Sequence, residues 1–236
     1  MTISVIMAAY NHGKYIRTAL ESILQQPYSQ MEIVVVDDGS TDATEAVVRG
    51  LIQKSVIPIH YLKQANQGQA AAFNVALRQV RGEVIAFLDA DDLWPPSRLP
   101  SQLSLFNQSE PSGTSKIGIV LGRKEYFSDA IHVNPIELAN ANQRAVHYCL
   151  AASLIARWVF DSVGEFDGSV GFCADWDWFA RAREMGIPTQ PDPRVTVLGR
   201  IHGSNITQNR TRGNHFAALM LKKHKDRLAN RQKEDA

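Results

Sequence analysis

The feature that most constrains this chain is one local pattern repeated along its first half. A short apolar run ends in a polar, turn-forming cluster, and a segment of helical periodicity follows. The runs cover residues 3–8, 32–36, 59–62 and 84–88. The clusters are Tyr10-Asn11-His12-Gly13, Asp37-Asp38-Gly39-Ser40, Asn66-Gln67-Gly68 and Asp89-Ala90-Asp91-Asp92. The β-branched run at 32–36 reads as a strand buried on both faces. Strands alternating with helices pack as a mostly parallel sheet flanked by helices. Ligands in such sheets bind beyond the carboxyl ends of the strands. All four clusters follow their runs, so the pattern predicts an α/β fold with its site along one sheet edge.

The intervening helices are marked by spacing and punctuation. Ile16, Leu20, Ile23 and Leu24 share a helical face, with Pro27 beyond its end. Asp42 is expected to cap the next helix, with Glu45 as its reciprocal partner. Ala70, Phe73, Leu77 and Val80 predict a third helix over 69–80, stopped by Gly82. Pro95-Pro96 precedes an amphipathic segment at 97–106. The second half is less regular. Residues 117–121 and 195–201 read as strands, and 143–160 is mixed and apolar. Asp175-Trp176-Asp177-Trp178 opens a helix with Phe179, Ala182 and Met185 on its apolar side. His202-Gly203-Ser204-Asn205 follows the last strand, and 222–231 is basic and helical in pattern. No linker divides the chain, so a single domain over 1–236 is expected.

Charge narrows the partners. With 25 Lys and Arg against 24 Asp and Glu the net charge is +1, which gives no argument for a nucleic-acid partner. Cys149 and Cys173 have no metal-ligand spacing and read as buried thiols. No run of about 18 apolar residues is present, so no membrane span is expected. The start, MTISVIMAAYNH, lacks the basic region of a signal peptide. A cytoplasmic location is expected. Contact of the basic tail with the inner face of a membrane stays open beside a plain soluble helix.

Asp89, Asp91 and Asp92 put three carboxylates within four positions, which repel unless a cation or water satisfies them. Mg²⁺ and Mn²⁺ suit such oxygen ligands when phosphate oxygens complete the shell. The bland reading is a solvated turn with helix caps; the place at a strand end favours the metal. At Asp37-Asp38 one carboxylate suits a turn, and the other can accept the N3–H of a uracil-type base. Tyr10 reads equally as a base contact or a loop anchor. Asp175 alone would be a carboxylate favoured by a helix dipole, a task Asp177 could share. Trp176 reads as a sugar platform and Trp178 as core. Arg210 and Arg212 read as surface or as phosphate contacts.

Taken in order, several segments resemble the family 2 glycosyltransferases of the GT-A fold. They are Ser4-Val5-Ile6-Met7-Ala8-Ala9-Tyr10-Asn11, Val36-Asp37-Asp38-Gly39-Ser40-Thr41-Asp42, Asn66-Gln67-Gly68 with Asn74, and Asp89-Ala90-Asp91-Asp92. Val163-Gly164-Glu165-Phe166-Asp167, Asp175-Trp176-Asp177 and His202-Gly203-Ser204-Asn205-Ile206-Thr207 follow, so the likeness covers roughly residues 2–207. The resemblance implies a GT-A type single domain. It comprises a nucleotide-sugar-binding half over 1–107, an acceptor-binding and catalytic half over 108–207, and a helical tail over 208–236.

It also implies an inverting enzyme of hexosyltransferase type. A sugar would pass from a nucleotide diphosphate sugar, on the UDP pattern, to a hydroxyl of a glycan, lipid-linked or peptide acceptor. By this likeness Ala8, Tyr10, Asp38, Gly68, Asn74, Asp89 and Ala90 hold the nucleotide sugar. Asp175 is the catalytic base and Trp176 meets the acceptor. Asp91, Asp89 and His202 hold Mn²⁺ or Mg²⁺. One departure is Ala174, where the family usually has Glu before the Asp. It keeps alive the alternative of a non-catalytic nucleotide-sugar-binding or partner-binding module on the same fold. No GxxxxGK[ST] or GxGxxG is present, which disfavours P-loop and dinucleotide enzymes.

Overall fold

The computed structural model describes residues 1–107, 116–128, 149–203 and 210–234. Four βα steps occupy the first half. β1 (Ile3–Ala9), β2 (Met31–Asp37), β3 (Ile59–Lys63) and β4 (Val84–Phe87) alternate with α1 (Ile16–Leu24), α2 (Thr44–Ile52), α3 (Gln69–Leu77) and α4 (Arg98–Phe106). β5 (Ile119–Ser128), β6 (Ser153–Ala156), α5 (Arg157–Val163), α6 (Ala174–Glu184), β7 (Thr189–Ile201) and α7 (Arg210–Glu234) complete the domain.

The seven strands form one sheet in the order β3-β2-β1-β4-β6-β5-β7. β1 pairs in parallel with β2 and β4, β2 with β3, and β5 with β7. β6 runs antiparallel to both its neighbours, β4 and β5. The carboxyl ends of the other six strands therefore lie on one edge. A bridge between Leu93 and Leu198 draws the segment after β4 onto β7, and so brings the start of the 202 segment beside Asp91.

Both sheet faces are covered. α1 buries Ile16, Ala19, Leu20 and Ile23, a three-four repeat that fits a helix lying on a sheet. With Val5, Val35 and Leu99 they form one apolar cluster. Ile6, Val34, Phe87, Phe160, Phe166 and Trp178 anchor the cluster on the opposite face. Full burial of such a side chain contributes roughly 1.5–3 kcal/mol. These two layers fix the strand ends that carry the polar groups.

Several expectations need correction. α2 starts at Thr44, not directly after Asp42. Asp42 accepts from the Thr44 and Gly13 amides at 2.9 Å each, while Glu45 turns to Lys63 and Arg49 instead of back to the cap. α3 ends at Leu77, short of Val80. Met185 is 46% exposed because the chain leaves the helix there, turning at Gly186 with φ of 69°. β5 and β7 each run beyond the residues whose pattern marked them. Arg210 and Arg212 lie in α7, but their side chains are outside the described residues. Among the described residues no helix is long and apolar enough to cross a membrane.

Candidate active site

The loops after β1 and β2 are laced together. Asn11 adopts φ of 56°, a left-handed conformation that Asn tolerates better than most residues. Its amide oxygen then accepts from the Thr41 N–H at 2.9 Å, and its own N–H donates to Ser40 Oγ at 2.9 Å. Tyr10 stands 48% exposed at the end of β1, beside the half-buried Ala8.

The two carboxylates after β2 have separate tasks. Asp37 is fully buried; it accepts from the Ser40 N–H at 2.7 Å and from the Tyr61 hydroxyl at 2.5 Å. Burial and the Asp37 carboxylate together push the Tyr61 pKa upward, so the phenol stays a donor. Asp37 is therefore the turn residue. Asp38 faces the loop after β3. It accepts from the Gln67 N–H at 2.9 Å, the Gly68 N–H at 2.8 Å and the Gln64 amide at 2.7 Å. Gly68 has φ of 88°, which no side chain adopts cheaply, and open space lies where a Cβ would stand. A ligand can approach the backbone closely there.

The segment after β4 holds the third group. Asp92 is buried; it accepts from Lys124 Nζ at 2.5 Å and from the Arg200 N–H at 2.9 Å. Burial pushes the Asp92 pKa up, against the pull of the Lys124 ammonium. Burial also works against the Lys124 charge, but Asp92 and Asp89 outweigh it and keep the amine protonated. Asp92 thus ties β5 and β7 to this turn. Asp89 and Asp91 keep more access to solvent. Asp89 accepts from the Gln69 amide at 3.2 Å and lies 3.7 Å from Lys124 Nζ.

Asp91 Oδ2 lies 2.9 Å from His202 Nε2 and 3.8 Å from His12 Nε2. The His202 ring stacks on Tyr15 at 4.6 Å, and the Arg200 guanidinium lies over the Tyr15 ring, 5.2 Å from its centroid. Among the described residues no group of three or more His, Cys, Asp or Glu closes on one point. Asp91 and His202, a carboxylate and an imidazole 2.9 Å apart, are ligand types that could hold a cation completed by diphosphate oxygens. His12 lay in the first polar cluster without a role of its own, and Tyr15, Lys124 and Arg200 had no motif to announce them. Only the pairing of β5 and β7 with the rest of the sheet brings the last two here.

Asp175 and Trp176 occupy the first turn of α6. Asp175 is half-buried and accepts the Trp176 N–H at 2.8 Å. Its pKa is raised to about 7, chiefly by burial; the Trp176 amide works against the rise and the nearby Asp89 charge adds to it. Asp177 is different. It is buried and paired with Arg181 at 2.9 Å and with Arg227 of α7 at 3.0 Å. Trp176 is 54% exposed, whereas Trp178 is fully buried and stacks on Phe160 at 4.6 Å.

Three residues of these segments are engaged by the fold itself. Both ends of the Asn74 amide bond the Phe166 backbone at 2.9 Å, so Asn74 ties α3 to that segment. Ala90 is 1% exposed and belongs to the core, so only its backbone can face a ligand. Ala174 is likewise buried, in the apolar cluster that holds Trp178 and Phe179.

This sheet order, with carboxylates gathered at the strand ends, defines a GT-A type glycosyltransferase domain. The chain belongs to the family described as Glycosyl transferase family 2, whose profile matches residues 4–154. Individual relatives match over different spans. An uncharacterised glycosyltransferase of Nostoc is 45% identical over 48% of this chain and 35% of its own length. A second, from Rickettsia typhi, is 27% identical over 87% of this chain and 65% of its own. The Escherichia coli UDP-Glc:alpha-D-GlcNAc-diphosphoundecaprenol beta-1,3-glucosyltransferase WfaP is 29% identical over 88% of this chain and 80% of its length. The chain thus spans between about a third and two thirds of the first curated relatives it matches.

Two solved structures share the fold. The mannosyltransferase PcManGT of Pyrobaculum calidifontis, in complex with GDP-Man and Mn²⁺, superposes with a TM-score of 0.74. It is 24% identical, over 94% of this chain and 63% of that one. S. aureus TarS 1-349 in complex with UDP-GlcNAc gives 0.69 at 21% identity, over 89% of this chain and 61% of that one.

Proposed function

We propose that this domain transfers a sugar, with inversion, from a nucleotide diphosphate sugar to an acceptor hydroxyl. The observation that carries the reading is Asp175: a half-buried carboxylate with its pKa raised to about 7, close enough to Asp89 to feel its charge. A base poised near neutrality is what proton removal from an attacking hydroxyl needs. Tyr10, Ala8, the Asp38 loop and Gly68 would border the nucleotide. Asp91, with Asp89 and His202, would hold Mn²⁺ or Mg²⁺. Such an ion supplies neutralisation of the charge on a departing diphosphate.

The acceptor oxygen attacks the anomeric carbon as the bond from that carbon to the diphosphate oxygen breaks. Its proton passes to Asp175, and the nucleoside diphosphate leaves with the electron pair. A sugar hydroxyl is far less acidic than a carboxylic acid, so the proton moves as the carbon–oxygen bond forms. The transition state is oxocarbenium-like, as in glycosyl chemistry generally. Lys124, fixed by Asp92, keeps a positive charge beside Asp89. Trp176 offers an exposed ring for an acceptor sugar.

A UDP-sugar is favoured by two relatives named for UDP donors or bound to one. WfaP is named for a lipid-linked diphosphate acceptor, which supports an acceptor of that kind delivered at a membrane surface to a cytoplasmic enzyme. The test is calorimetric titration of UDP- and GDP-sugars with and without Mn²⁺, followed by an acceptor screen with Asp175→Asn as control. Metal-dependent binding of one donor and transfer lost in that variant support the reading. A folded protein that binds no nucleotide sugar overturns it in favour of a partner-binding module.

A further inference from the structure

His12 is the residue at the strand-end edge whose purpose no motif accounts for. Its backbone is held at three points: the N–H donates to Thr44 Oγ1 at 3.0 Å, and the carbonyl accepts from Tyr15 and Ile16 at 2.9 Å each. Its ring is held at a fourth, because the Tyr10 N–H donates to Nδ1 at 3.2 Å. A backbone N–H is always a donor, so Nδ1 must be the acceptor nitrogen and carry no proton. The ring proton of neutral His12 then sits on Nε2.

That Nε2 lies 3.8 Å from Asp91 Oδ2, near the carboxylate but too far for a hydrogen bond. The same oxygen is already met by His202 at 2.9 Å. His12 therefore presents a partly buried donor, 22% exposed, beside the carboxylate but not bonded to it. In this tautomer Nε2 has no lone pair, so His12 cannot be a metal ligand through that atom. It can only donate, and an anionic oxygen lying against Asp91's cation is the acceptor such a donor fits.

We propose that His12 binds the diphosphate of the nucleotide sugar, its Nε2–H donating to a phosphate oxygen in the ground state and to the departing diphosphate during transfer. This rests on the glycosyltransferase reading above. It divides the two imidazoles at Asp91: His202 serves the carboxylate and its cation, and His12 serves the anion. The tautomer set by Tyr10 is the device that keeps them apart.

The test compares nucleotides with and without phosphate on the full chain. UDP and GDP with Mn²⁺ are titrated by calorimetry into wild type and His12→Ala, with uridine and guanosine titrated by NMR. ¹⁵N-histidine spectra of the wild type report the tautomer. Thermal melts check folding, and His12→Phe, which keeps the ring and removes the donor, stands in if the alanine variant melts early. The expected result is a loss of about tenfold for the diphosphate with nucleoside affinity within twofold. The spectra should show a proton on Nε2 whose signal moves when UDP is added with Mg²⁺. Equal loss for nucleoside and diphosphate, or no loss, overturns the proposal, as does a proton on Nδ1. If wild type itself binds neither UDP nor GDP, the transferase reading falls and takes this inference with it. A wild type that binds while His12→Ala is unchanged sinks this inference alone.

Discussion

His202 and Asp91 meet at 2.9 Å across 111 positions of sequence, and the contact is shaped from behind by Tyr15. The ring of Tyr15 lies 4.6 Å from that of His202 at an interplanar angle of 22°, which restricts how His202 can turn. Asp91 in turn comes from the turn after β4, and His202 directly follows β7. The pair therefore forms only when the sheet is complete.

This arrangement predicts a graded response to substitution. Asp91→Ala should abolish Mn²⁺-dependent binding of a nucleoside diphosphate, a loss of at least a hundredfold. His202→Ala should weaken it by about tenfold. Tyr15→Ala, which leaves both polar groups in place, should reproduce part of the His202 loss. The same pattern is expected from calorimetry with UDP and Mn²⁺; an unchanged affinity in Asp91→Ala would remove the metal assignment. Losses of outer contacts of this kind typically weaken metal sites ten- to a hundredfold.

Asp175 predicts both a rate and a stability. As a base it must be ionised, so kcat/KM should fall as pH drops through about 7. Asp175→Asn should lose roughly 10²–10⁴ in kcat with donor affinity retained. The linkage runs opposite to that of a salt-bridged carboxylate. Because burial raises the folded pKa, the unfolded chain ionises first, and stability declines as pH rises from the ordinary Asp range toward 7. Asp175→Asn should therefore melt higher than wild type at pH 8, by a few degrees, and the gap should close near pH 4. A variant that melts lower at pH 8 would contradict the raised pKa.

The first half was legible because its information is local. Parallel strands covered on both faces read as unbroken apolar runs, and Asp38, Gly68 and Asp91 stand where those runs stop. The second half was not, because β6 is four residues long and its partners are distant in sequence. β7 contains Pro191, Asp192, Pro193 and Arg194, which hide a strand whose first half is irregularly paired with β5. For the same reason Lys124 and Arg200 carried no signal. Asn74 shows the opposite failure. The sequence marks it only as a polar residue near the site, and the Phe166 backbone, 92 positions away, engages both ends of its amide.

α7 predicts a brace on α6. Arg227 reaches Asp177 at 3.0 Å in the first turn of α6 and Glu184 at 3.1 Å at its end, and Lys223 bonds Asp167 just before it. Burial works to raise the Glu184 pKa, but Arg227 and His224 outweigh it and hold the carboxylate ionised. Arg227→Ala leaves Asp177 with Arg181 alone. Removing one partner of a buried pair costs up to about 3–5 kcal/mol, and the retained Arg181 should keep the loss to roughly 1–3 kcal/mol. Denaturant melts should show this destabilisation together with a lower kcat and unchanged UDP affinity, since the nucleotide loops are carried by other elements.

The last prediction separates two tryptophans two positions apart. Successive positions on a helix face different directions, and here Trp176 is 54% exposed while Trp178 is 0% exposed with its indole N–H donating to the Gly164 carbonyl at 2.9 Å. Trp178→Ala would open a cavity beside Phe160 and Phe166 and cost roughly 3–5 kcal/mol, enough to threaten folding. Trp176 is more than half exposed, so the melting temperature of Trp176→Ala should match wild type within about a degree. Its effect should appear as a several-fold rise in acceptor KM, with donor affinity intact, because stacking on an aromatic ring contributes on the order of 1 kcal/mol. Acceptor kinetics in this variant measure whether the exposed ring meets the acceptor. An unchanged acceptor KM would show that the exposed indole serves some other contact and would move the acceptor platform elsewhere on the edge.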